Sequence, residues 1–140
     1  MTFDPFPDFE ALAAQAIREV VDCGVYSSIP KTPTYPLITV KRIGGVPAEM
    51  HRLDVANLQI DVWGTTKSEA RDLADEARLA LHGMEGRAFS EGDDSGASGD
   101  VGSGFICAVD DSLGLTWLPD PVTARDRYVF GCSVFGHQYP

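Results

Sequence analysis

Long apolar runs, sulfur and positive charge are all scarce in this sequence. Its longest apolar stretches fall far short of the roughly 20 residues that a helix needs to cross a bilayer, so no membrane span is expected. The N-terminus, Met1-Thr2-Phe3-Asp4-Pro5, has neither the basic start nor the apolar centre of a secretion signal. The chain is expected to remain in the cytoplasm where it is made. It holds three cysteines, Cys23, Cys107 and Cys132, an odd number with no CxxC pair. Neither a disulfide scaffold nor a zinc ribbon is signalled, and the apolar neighbours of all three predict small core residues. His51, His82 and His137 are widely separated, and none has a second ligand at metal spacing.

Lys and Arg number 11 against 21 Asp and Glu, giving a net charge of −10. Nucleic acid is a dense line of phosphates, so the general field of this chain opposes binding to it. The local exceptions are Lys41 with Arg42, and Arg125 with Arg127. Two cations each read as a solvated face. A strongly acidic surface suits a passage through which nucleic acid must travel without sticking.

What is present is ordinary globular material: 140 residues, 44% hydrophobic and 23% charged, enough for one core. Phe9, Leu12, Ala13, Ala16, Ile17, Val20 and Val21 recur at three- and four-residue spacing and predict a helix from about Asp8, its N-cap, to Cys23, with Gly24 just past its end. Three prolines mark a loop, and Leu37–Ile43 is rich in β-branched residues, ending at Gly44-Gly45. In the next strand Ala56, Leu58, Ile60 and Val62 alternate with Asn57, Gln59, Asp61 and Trp63. One face is apolar and the other mostly polar, as in an antiparallel sheet covered on one side. Thr66-Lys67-Ser68-Glu69 matches a capping box and opens a helix to His82, with Ala70, Leu73, Ala74, Ala77 and Leu81 inward.

Glu85–Gly104 holds six glycines and five acids against one base, Arg87, and reads as a mobile loop. Phe105–Val109 is a short apolar strand, Asp110-Asp111-Ser112 a turn, Leu113–Pro121 an ordered loop, and Arg127–Phe135 the last strand. The expected fold class is α/β (α+β). It is a single domain over 1–140 in the order α-β-β-α-β-β, with two helices on one face of a four-stranded, mainly antiparallel sheet.

No catalytic constellation emerges. The glycines at Gly99–Gly104 run into a strand, whereas a phosphate loop opens a helix. Asp93-Asp94 and Asp110-Asp111 lack the spacing of a calcium loop. There is no GxSxG elbow, and Cys132 near His137 reads as a core thiol beside a terminal histidine. No enzyme activity, cofactor or metal is assigned. The residues that draw notice are candidates for contact with other proteins: Trp63 on the less apolar sheet face, either an interface anchor or covered by the 85–104 loop or the C-terminal segment, Arg42, and the acids Glu91, Asp93, Asp94 and Asp100.

The order and texture of the chain resemble the tail terminator proteins of long-tailed bacteriophages, particularly those of actinobacteria. The residues behind the resemblance are the N-terminal helix, Pro36-Leu-Ile-Thr-Val-Lys-Arg-Ile-Gly-Gly45, and Leu53-Asp-Val-Ala-Asn-Leu-Gln-Ile-Asp-Val-Trp-Gly64 leading into the Ala-rich helix. Gly114-Leu-Thr-Trp-Leu-Pro-Asp120 and Arg127-Tyr-Val-Phe complete it. The resemblance implies a virion protein that forms a ring, usually of six subunits, at the head-proximal end of the tail tube. There it stops tube polymerisation and receives the head. Its partners would be its own copies, the major tail tube protein and a head–tail connector or stopper, with DNA crossing the bore unbound. Other neck proteins look much alike, and a head–tail connector is the nearest alternative. A small ligand-binding or enzymatic α/β domain is the rival from another class, but no convergent polar pocket can be assembled from these residues.

Overall fold

The computed structural model describes residues 8–47, 53–89 and 104–138. Two helices and six strands follow in the order α1 (Phe9–Arg18), β1 (Gly24–Tyr26), β2 (Leu37–Pro47), β3 (Asp54–Trp63), α2 (Lys67–His82), β4 (Ala88–Phe89), β5 (Gly104–Trp117) and β6 (Arg127–Gln138). They form one sheet of order β1-β2-β3-β6-β5-β4, antiparallel throughout except for the parallel pair β1–β2. The α+β class agrees with the sequence reading; the strand count does not, since six replace four. Strands β1 and β4 are three and two residues long, too short for any periodicity to announce them.

Helix α1 begins as its sequence dictates. Asp8 caps it, its carboxylate accepting from the Ala11 amide at 3.1 Å. It ends at Arg18, short of Cys23. Arg18 donates to the Val25 carbonyl at 2.8 Å, and Glu19 pairs with Arg87 at 2.7 Å. These contacts, with the poor helical preference of β-branched Val20-Val21, turn the chain. Val20 is therefore 55% exposed rather than part of the buried stripe, and Gly24 opens β1 instead of closing the helix.

Helix α2 keeps half of its expected capping box. Thr66 Oγ1 accepts from the Glu69 amide at 3.1 Å. The Glu69 carboxylate, however, takes the amide and hydroxyl of Thr65, at 2.8 and 2.9 Å, one residue further back. Two hydrogen bonds to Thr65 hold that carboxyl below its usual range.

Strand β2 does not break at Gly44-Gly45. It bulges between Arg42 and Gly44 and continues to Pro47, because glycine tolerates the φ of +152° and +148° found at these two positions. Likewise Asp110-Asp111-Ser112 is no turn, and Leu113–Trp117 is no loop. Both belong to β5, whose register slips between Ile106 and Ala108, Asp111 and Leu113, and Leu113 and Thr116. Each slip erases the two-residue alternation by which a strand is read. Cys107 sits at the first slip and is exposed, contrary to its expected place in the core. Cys132 is buried, and burial pushes its thiol up to about 12.

Both helices lie on one sheet face. Phe9, Leu12 and Ile17 of α1 and Ala70, Ala74, Ala77 and Leu81 of α2 pack with Ile38, Val40, Leu58, Ile60, Phe130 and Val134 of the sheet. At roughly 25 cal/mol per Å² of apolar surface, this single layer is the dominant source of stability. On the helix-free face a smaller group, Leu37, Thr39, Asp61, Trp63 and Val129, is also buried. It lies beneath the turn between β5 and β6, which holds to it through Trp63, Gly64 and Tyr35.

Candidate assembly surface

A sheet ends in two strands whose outward N–H and C=O groups need partners. Here the outermost strands are fragments, so most of each edge belongs to β2 and β5. Strand β1 covers only Leu37–Thr39 of β2. Past it, the Glu10 carboxylate takes the Arg42 amide at 2.7 Å, while Lys41, Arg42, Ile43, Gly44 and Gly45 are exposed. On the other side β4 covers Gly104 and Phe105. The α2–β4 connection then covers Ile106, through Gly86 and Arg87, and Glu85 accepts from the Val109 amide at 2.9 Å. From Asp110 to Gly114 the β5 edge is exposed.

Charge differs between the two edges. Lys41 and Arg42 stand on β2, Asp110 and Asp111 on β5. Arg42 is held within the subunit by Asp54, through bonds of 2.8 and 3.0 Å, and the Asp54 carboxylate raises its pKa. Asp111 is likewise held by Arg78 at 2.6 Å and by His82 at 2.8 Å. The Arg78 guanidinium first, then His82, keeps the Asp111 carboxyl below its usual range. Lys41 and Asp110 make no ion pair among the described residues. A groove of about 670 Å³ lies beside the open part of β2, walled by Ala11, Ala14 and Arg18 of α1, Val25 and Tyr26 of β1, and Val40. Exposed apolar side chains lie along the outer part of β5 and in the β5–β6 connection: Leu113, Trp117, Leu118 and Val122.

The residues singled out from the sequence divide. Arg42 lies on the open β2 edge. Trp63 does not serve as an exposed contact: it is 2% exposed, its indole N–H donates to Asp120 at 2.9 Å, and Arg127 lies over its ring at 5.8 Å. The β5–β6 turn covers it because Asp120 folds back, also accepting from the Val122 and Thr123 amides. Glu91, Asp93, Asp94 and Asp100 lie outside the described residues. Asp110 was not legible as an edge residue, since the slips in β5 disguise it as part of a turn. Among the described residues no group of three His, Cys, Asp or Glu side chains is placed to hold a metal ion, and no helix is long and apolar enough to cross a membrane. His82 turns to Asp111, and His137 stacks on Phe105 at 5.4 Å.

This is a small α+β domain with exposed stretches on two sheet edges, the kind of surface along which proteins can pair. Its class is that of an assembly subunit. Residues 9–92 match the family model of the tail completion protein gp17, well over half of the chain, and the protein belongs to that family. It is a bacteriophage tail-completion protein, a component of the tail and neck. Eighteen chains of solved structures also match. One is the bacteriophage SPP1 gp17 protein, at 18% identity and a TM-score of 0.41, covering 90% of this chain and 83% of that one. No curated protein matches the sequence.

Proposed function

We propose that the protein is a tail terminator whose copies join head to tail into a closed ring on the head-proximal end of the tail tube. The ring ends tube polymerisation and presents a docking surface to the connector or stopper of the head. The observation that carries this reading is the pair of open edges on opposite sides of one sheet, β2 and β5, different in sequence and in charge. Unlike surfaces that meet form a heterologous contact, which either closes into a ring or runs on as a filament. A protein that ends a polymer must close. Six subunits is the number that the terminator resemblance supplies.

The net charge of −10 supports a bore through which DNA passes without binding. Like charge lowers the occupancy of phosphate along the wall, and the field reaches about 10 Å at 0.1 M salt. Electron microscopy of the purified protein, with its mass measured in solution, tests the reading. Rings are expected, at a small whole multiple of 15.1 kDa, and they should cap tail tubes. A monomer that neither caps tubes nor changes tail length would sink it.

A further inference from the structure

We propose that the occupant of the open β2 edge is the β5 edge of a second copy, with Lys41 of one subunit set against Asp110 of the next. This rests on the ring reading above and names the contact that closes the ring.

The ladder of the sheet carries the argument. Lys41 pairs with Gln59, Gln59 with Gly131, and Gly131 with Leu113. Arg42 connects in the same way through Leu58 and Cys132 to Asp111, and Gly44 through Asn57 and Ser133 to Asp110. Three rungs thus end in Lys41, Arg42 and Gly44 on one side, and in Leu113, Asp111 and Asp110 on the other. Among the described residues no strand lies against these rung ends, since β1 stops at Thr39 and the Glu85 bond ends at Val109; on the β2 side a partner strand would displace Glu10 from the Arg42 amide. A copy set beside the first by a rotation without rise, with its strands along the ring axis, arrives at the same height. Its Asp111 then arrives level with Arg42, its Leu113 with Lys41 and its Asp110 with Gly44.

Strand direction agrees. β2, β3, β6 and β5 alternate in direction, so the β5 edge of a neighbour meets β2 antiparallel, as the sheet already pairs. The faces agree as well. Val40 packs in the core under the helices, so its neighbour Lys41 points to the helix-free face. Val109 is also in that core and Asp111 reaches α2, so Asp110 points to the helix-free face too. Two rungs apart on one face is a diagonal separation of about 7–8 Å, within reach of a lysine. Ile43, 61% exposed, and Leu113, 46% exposed, bring an apolar side chain to each edge.

The experiment is a charge exchange between separately purified proteins. Lys41→Asp and Asp110→Lys both change exposed side chains, so each variant should keep the unfolding midpoint of the wild type. Each should raise the concentration needed for rings by about tenfold or more, because like charges then face each other at every contact. An equimolar mixture of the two variants should recover rings of wild-type mass, since in alternation every contact again joins acid to base and a six-membered ring closes. Rings from both single variants at the wild-type concentration would overturn the proposal while leaving the terminator reading intact. So would a mixture that fails to recover them. Variants that form normal rings but lose binding to tail tubes would assign the edge to a foreign strand. A wild-type protein that forms no ring would remove the terminator reading and this contact together.

Discussion

Trp63 shows what one side chain decides. Its ring lies on the face that carries no helix, yet it is buried, because Asp120 bends back to accept the indole N–H. The Val122 amide, followed by the Trp63 indole, holds the Asp120 carboxyl below its ordinary 3.8. A depressed folded pKa means that this stabilisation is complete above the ordinary value and is lost as pH falls through and below it. Trp63→Phe keeps most of the apolar bulk and removes the donor. It should lower stability at pH 7 by about 1–2 kcal/mol, and the gap from the wild type should narrow below pH 3.8, the ordinary value. Urea unfolding at a series of pH values reads this directly. A gap independent of pH would mean that Asp120 is not the partner that matters.

At the scale of elements, the two glycines of β2 set the shape of an open edge. A Cβ on Gly45 would overlap the Val55 carbonyl oxygen, whereas one on Gly44 would meet open space. Both carry positive φ, so Gly44→Ala bears conformational strain alone and Gly45→Ala strain plus collision. Gly45→Ala should destabilise by roughly 1–3 kcal/mol, and Gly44→Ala by visibly less. Equal thermal midpoints for the two variants would argue against the bulged path of β2. In β3, Ile60→Asp should remove more than about 4 kcal/mol, since Ile60 is fully buried between sheet and helices. Calorimetry or circular dichroism should show an unfolded or molten chain; a normal melt would mean that the strand faces are reversed. That face was legible in the sequence, because the alternation from Ala56 to Val62 is unbroken. The outer half of β5 was not, because its slips leave no alternation to read, and the charges at Asp110-Asp111 resemble a turn.

At the scale of the molecule, a single helix-covered layer supplies most of the buried apolar area. Stretches of β2 and β5 at the edges of that layer are exposed. The fragments β1 and β4, the slips along β5 and the carboxylates of Glu10 and Glu85 limit how much edge is open, which protects against unregulated pairing. What remains is basic on one side and acidic on the other, so association should weaken as salt screens the contact.

By itself the sequence determined two helices, the central strands β2, β3 and β6, the helix-facing core, and membership of a tail-completion family through residues 9–92. These depend on local periodicity and on order along the chain, which need no knowledge of distant neighbours. Only the tertiary structure decided the six-stranded order, the burial of Trp63, and the rungs that set Arg42 level with Asp111, and Lys41 two rungs from Asp110, across the sheet. Those residues are about seventy positions apart, and their relative height follows from the pairing of four strands, an outcome of packing that no local pattern encodes.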